Sequence, residues 1–150
     1  NNTNLYKSIA EHSHDSLNTR IETGGIIRQL FSRFLKDAER KIMSQDSRII
    51  KVLKYIRENI NHKISVNDLA SLSYLSEDHF IRLFKKEMGT TPVEYVNLKK
   101  VETAQLMLVI NDIPVKDVAC ALSFDNISYF NRLFKQVTGE TPTQYRERYQ

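Results

Sequence analysis

From Asp46 onward, apolar positions recur at helical spacing with little interruption. Ile49, Ile50, Val52, Leu53, Ile56 and Ile60 make one stripe, and Asp46 or Ser47 precedes it as a cap, which predicts a helix. Ser65, with Asp68 three residues on, is a capping-box arrangement that opens a short helix carrying Val66, Leu69, Ala70 and Leu72. A turn at Ser73-Tyr74-Leu75 follows. Ser76 is placed to cap a helix from Glu77 to Met88, which Gly89 ends in the left-handed conformation. Thr91-Pro92 starts the next helix, with Thr as cap and Pro in the first turn, and nothing breaks it before about Asn111. Pro114 then opens a short helix with Val115, Val118 and Ala119, and the chain turns at Ser123-Phe124. Asp125 or Asn126 caps a helix ending before Gly139, and Thr141-Pro142 begins a last one over about 142–149. No alternating strand pattern competes, so the fold class is all-α.

The order short helix, turn, longer helix, Gly, Thr-Pro occurs twice. Residues 80–95 read FIRLFKKEMGTTPVEY and residues 130–145 read FNRLFKQVTGETPTQY, identical at nine of sixteen positions. Such an internal repeat means that one small structural unit is used twice. The copies keep step to within one residue: eleven positions separate Leu69 from Phe80, and twelve separate Val118 from Phe130. Each copy has the plan of a helix-turn-helix, whose second helix enters a major groove of DNA.

On the longer helix of the first copy, Phe80, Leu83, Phe84 and Met88 share one face and are expected to pack on Val66, Leu69 and Ala70. Asp78, His79, Ile81, Arg82, Lys85 and Lys86 are left facing away. In the second copy Phe130, Leu133, Phe134 and Val137 are the expected buried set, and Ile127, Ser128, Asn131, Arg132 and Lys135 lie outside. The outward groups include Arg and Asn, whose paired hydrogen-bonding atoms suit guanine and adenine edges. Lys85, Lys86 and Lys135 are candidates for phosphate contact. Thr91 and Thr141 are caps whose neighbouring N–H groups could also receive a phosphate.

The signature FxRLFKxxxGxTPxxY, present twice and each time behind a short helix with Leu69-Ala70 or Val118-Ala119, resembles the DNA-binding domain of the AraC/XylS transcription regulators. The resemblance covers residues 48–148 or so. It implies a bacterial, cytoplasmic regulator, associated with the nucleoid, in which two helix-turn-helix units are joined by a long central helix. It also implies that residues near the start of each longer helix read bases in consecutive major grooves. Laid onto this sequence, these are Asp78, Ile81 and Arg82 in the first unit, and Ile127, Ser128, Asn131 and Arg132 in the second. Family members usually carry Gly before the Phe at Phe124. This chain has Ser123, and a positive φ there would cost Ser about 1 kcal/mol. The helix from Pro92 to about Asn111 would be roughly 30 Å long, close to the roughly 34 Å between successive major grooves on one face of DNA. The expected partner is therefore a double-stranded operator with two boxes about one turn apart, with RNA polymerase a further candidate.

The first helix-turn-helix is expected at about 65–89, the central helix at about 92–111 and the second helix-turn-helix at about 114–139, all within a DNA-binding domain over 46–150. Residues 1–45 show no trace of the repeat. After Thr23-Gly24-Gly25, a stripe of Ile26, Ile27, Leu30, Phe31, Phe34, Leu35, Ala38 and Ile42 predicts a further helix. This segment reads as the tail of a sensor or dimerisation domain. Ile27, Leu30, Phe31 and Phe34 are the expected contacts of a homodimer, and Arg28, Arg33 and Lys36 would line its edges. An adaptor that binds another protein through this stripe is the alternative function. The chain opens on Asn1 rather than Met, as a fragment of a longer protein would.

Composition narrows the classes without choosing among them. In 150 residues, 41% hydrophobic and 27% charged content suits a globular chain, and the net charge of +4 is compatible with nucleic acid. No apolar run approaches a membrane span, so no membrane partner is expected. The lone Cys120 excludes an intramolecular disulfide and is expected to fill space in its short apolar helix. His12, His14 and Asp15 sit in a polar stretch and are read as exposed, not as a metal site. No cofactor motif, phosphate-binding loop or nucleophile–base set is present, so no catalysis is expected.

Overall fold

The computed structural model describes residues 46–110 and 112–150. The segment 1–45, with the expected dimer contacts Ile27, Leu30, Phe31 and Phe34 and the His12–His14–Asp15 group, lies outside the described residues, as does Asn111. The described residues form helices only: α1 (Ser47–Glu58), α2 (Val66–Leu72), α3 (Glu77–Met88), α4 (Pro92–Ile110), α5 (Val115–Ala121), α6 (Ile127–Thr138) and α7 (Pro142–Tyr149).

Local chemistry sets the helix boundaries. Asp46 caps α1 by accepting from the Arg48 backbone N–H, and Asn126 caps α6 by accepting from Tyr129. Ser65 with Asp68, and Thr141 with Gln144, form reciprocal capping boxes at α2 and α7. Thr91 and Glu94 do the same at α4: the Thr91 N–H donates to Glu94 Oε2 at 3.0 Å and the Glu94 N–H to Thr91 Oγ1 at 3.3 Å. Ser76 occupies the cap position of α3, but its hydroxyl makes no bond to the helix, contrary to expectation. Pro114 precedes α5 as its cap residue and is not inside it. Gly89 and Gly139 end α3 and α6 with φ of 75° and 89°, a region where any other residue would be strained.

Among the described residues there are two apolar cores, each a copy of the other in plan. The first joins Ile49, Val52, Leu53 and Ile56 of α1, Leu69 and Ala70 of α2, Phe80, Phe84 and Met88 of α3, and Tyr95 and Val96 of α4. The second joins Val101, Ala104 and Leu108 of α4, Val118 and Ala119 of α5 with its cap residue Leu122, Phe130 and Phe134 of α6, and Tyr145 of α7. Thus α4 serves twice. Its start closes the first unit, as α7 closes the second, and its remainder opens the second unit, as α1 opens the first. Leu133 and Val137 are half-buried flanks of the second core rather than members of it.

Cys120 is exposed, which corrects the space-filling expectation. The buried positions of this helix and its cap are Val118, Ala119 and Leu122, and a residue two after Val118 points about 200° around the helix, to solvent.

Candidate nucleic-acid interface

The turn in each unit is the same backbone device. The Leu75 N–H donates to Ala70 O at 3.1 Å and the Tyr74 N–H to Ser71 O at 3.1 Å; in the second unit Phe124 donates to Ala119 O at 3.0 Å and Ser123 to Cys120 O at 2.9 Å. This pairing is a Schellman closure, whose penultimate residue must be left-handed. Tyr74 and Ser123 take that position with φ of 56° and 55°, at a cost of about 1–2 kcal/mol each. The positive φ anticipated for Ser123 is therefore present, and its counterpart Tyr74 shares it. The closure ends α2 and α5 and leads the chain into α3 and α6, each of which buries one face in its unit.

On α3 the buried face is Phe80, Phe84 and Met88, and the exposed face carries Asp78, His79, Arg82, Lys85 and Lys86. Ile81 is half-buried, where full exposure was expected. On α6 the buried face is Phe130 and Phe134, and Ile127, Ser128, Tyr129, Asn131, Arg132 and Lys135 are exposed. Arg82 and Arg132 stand two residues after the first core Phe of their helices, so both copies present a guanidinium at the same register. Ile127 is 41% exposed, an apolar side chain offered to whatever approaches the start of α6.

Charge along these helices follows their dipoles. Glu77 and Asp78 stand in the first turn of α3, and Lys85, Lys86 and Lys135 stand in the last turns. Asp78 therefore has a structural use at the helix start. The two Thr caps are not equivalent. At Thr91 the helix start is filled by the Glu94 carboxylate, which also accepts from Thr90 Oγ1 at 2.9 Å and Thr91 Oγ1 at 2.8 Å. The Thr91 backbone N–H, followed by these hydroxyls, holds the Glu94 carboxyl below its ordinary range. A phosphate would meet that negative charge. At Thr141 the partner is the neutral Gln144 amide, whose Oε1 accepts from the Thr141 N–H at 3.0 Å.

Two features of the face were missed in the sequence. The Arg132 guanidinium lies over the Tyr129 ring at 5.7 Å, and the Tyr129 hydroxyl accepts from Asn97 Nδ2 on α4 at 3.1 Å. The arginine is thereby held by its own helix, and that helix is anchored to α4. An exposed aromatic three residues before an exposed Arg was the available signal.

A helix-turn-helix domain family matches residues 69–148 of the chain. The probable transcriptional regulator LumQ of Photobacterium leiognathi is 30% identical over 122 residues, covering 81% of this chain and 48% of LumQ. The XylDLEGF operon transcriptional activator of Pseudomonas putida is 31% identical over 101 residues, covering 66% of this chain and 32% of the activator. The chain thus spans half or less of the length of these curated relatives. Among solved structures, the DNA-binding domain of AdpA, a global transcriptional factor crystallised with a target DNA, superposes with a TM-score of 0.66. It is 26% identical, and the match covers 69% of this chain and 94% of that domain.

Proposed function

The chain belongs to the AraC/XylS family of DNA-binding transcription regulators, and we propose that it reads an operator of two boxes about one helical turn apart, one with α3 and one with α6. The observation that carries this reading is the duplicated register of Arg82 and Arg132 on the exposed faces of α3 and α6, opposite the core Phe pairs. A guanidinium there can donate twice to guanine O6 and N7. Asn131 can pair with adenine in the same way, Ser128 with either, and Ile127 and Ile81 offer contact to a thymine methyl. Asp78 can accept from cytosine N4. Lys85, Lys86 and Lys135 contact phosphates. Of the two caps we assign phosphate contact to Thr141 and not to Thr91, because Glu94 already fills the α4 start.

The protein is proposed to dimerise through Ile27, Leu30, Phe31 and Phe34, a reading supported by the apolar stripe in the sequence. RNA polymerase is the further partner suggested by a relative named as an operon activator. Such a protein would act in the cytoplasm, at the nucleoid. The reading is of a binder, not an enzyme. Nothing among the relatives favours the adaptor alternative.

Paired substitutions test the reading. Arg132→Ala should cost about 1–3 kcal/mol on the cognate site and relax preference at one base pair, whereas Lys135→Ala should weaken cognate and random duplexes alike and flatten the salt dependence. Equal losses for Arg132→Ala on both kinds of DNA would reduce that residue to a phosphate contact.

A further inference from the structure

The two helix-turn-helix units meet at one small joint beside α4, and the residues there are polar. Lys100, in the middle of α4, is only 6% exposed. Its Nζ donates to Leu122 O at 2.6 Å, where α5 ends, and to His62 O at 3.1 Å, in the loop between α1 and α2. The Phe124 ring covers it at 5.3 Å. One cation therefore ties a carbonyl of the first unit to a carbonyl of the second. Beside it Ser123 Oγ donates to Asn61 O at 2.6 Å, and Lys63 Nζ pairs with Asp125 Oδ2 at 2.8 Å.

The second turn differs from the first at the positions that make this joint. Ser123 stands where the first copy has Tyr74, which is 87% exposed and whose ring lies under Lys51 Nζ of its own unit at 5.6 Å. Asp125 is the extra residue that makes the second copy one longer between its turn and its cap. A glycine at 123 would relieve the left-handed strain but would lose the hydroxyl that reaches Asn61. The strain at Ser123 thus coincides with a contact that glycine cannot supply.

We propose that Lys100, Ser123 and Asp125 form a latch that fixes the angle between α3 and α6 and so determines which spacing of the two boxes the chain accepts. The proposal rests on the two-box reading above. Without the latch the described units are held chiefly by α4, and a helix about 28 Å long can bend and twist between the cores at its two ends. One inserted base pair shifts a box by about 3.4 Å and turns it by about 35° around the duplex. A joint that swings by a part of this would accept the wrong spacing; a latched one would not. The buried Lys100 carries most of the restraint. The Lys63–Asp125 pair is exposed on both sides and adds little alone.

The test uses the 150-residue chain and duplexes whose boxes are set one base pair closer, at the selected spacing, or one base pair farther. The parent should lose about tenfold or more in affinity for either displaced spacing, the scale of a mismatched base pair. The Lys100→Met, Ser123→Gly variant should lose about threefold or less, with affinity for a duplex bearing one box unchanged. If that variant is unfolded by circular dichroism, the surface variant Ser123→Ala, Asp125→Asn takes its place and should give a smaller flattening of the same sign. A second readout needs no DNA. Nitroxides on the exposed Cys120 and on Lys54→Cys of α1 should report a narrow distance distribution in the parent and a broader one in the variant. A parent that binds a one-box duplex as tightly as a two-box one would defeat the two-box reading, and the label distances would still decide the latch. A parent that needs both boxes but accepts all three spacings alike overturns the latch. A variant that keeps both the spacing profile and the distance distribution of the parent overturns the latch.

Discussion

Phe134→Ala should unfold the second helix-turn-helix and leave the first standing. Phe134 has no exposed surface, and its ring lies 5.8 Å from Phe130 and 5.4 Å, edge-on, from Tyr145. Deleting a buried Phe costs about 3–5 kcal/mol, and loss of two ring contacts at about 0.5–1.5 kcal/mol each places this site at the upper end. Whole domains are stable by only about 5–15 kcal/mol, and a unit of three short helices on half of α4 has less. The first core contains none of the residues that touch Phe134, because α4 gives Tyr95 and Val96 to one core and Val101, Ala104 and Leu108 to the other. Urea unfolding with residue-resolved amide exchange is the assay. Protection should vanish across α5, α6 and α7 while α2 and α3 keep theirs, and the unfolding midpoint of the second unit should fall. A variant that melts like its parent would show that the core face is wrongly placed. Equal loss in both units would show one cooperative body, with the joint at Lys100 stronger than the separation of cores implies.

Gly139→Ala should cost about 1 kcal/mol from backbone strain alone, since φ is 89° and an added Cβ meets no atom within 4 Å; a thermal midpoint unchanged from the parent would contradict the left-handed end of α6. Burial pushes the Lys100 ammonium below its ordinary 10.5, an effect that Lys63 adds to and Asp125 opposes. Between that lowered value and 10.5 the unfolded chain holds a proton that the folded chain has released, so stability should rise with pH through this window. Lys100→Met should lack that rise, and a parent-minus-variant difference that is flat or falls in urea titrations from pH 8 to 10.5 would refute the burial argument. Glu94 has its carboxyl lowered by the Thr91 N–H and the Thr hydroxyls, so its cap contributes stability above the unfolded value and loses it as pH falls through the folded one. Glu94→Gln should flatten part of the acid limb of the unfolding curve, and an identical acid limb would show that the carboxylate does not hold the α4 start.

The helices and the repeat were legible because their signals are local: caps, Gly ends and core stripes within a turn or two. The double service of α4 was not, because its apolar residues fall on different faces at its two ends and no single stripe announces two cores. Cys120 was misplaced by reading a short apolar helix as apolar all round, when its register relative to Val118 already turned it outward. Lys100 looks like any lysine on a solvated helix. Its burial comes from His62 and Leu122, which lie 38 and 22 residues away in the chain. The extra residue between the copies was countable in the sequence, but its partner Lys63, 62 positions away, was not. On the DNA face, the residues that point outward follow from the core stripe, whereas the stacking of Arg132 on Tyr129 and its anchor at Asn97 needed the packing of α6 against α4.

The central claim, that one chain reads two sites in DNA, is tested most directly by selecting bound fragments from random double-stranded DNA at about 150 mM salt, where nonspecific phosphate attraction is weak. Sequencing of the bound pool should recover two short boxes in one direct orientation, about one helical turn apart. A pool without enriched sequence, or one enriched for a single box alone, would contradict it.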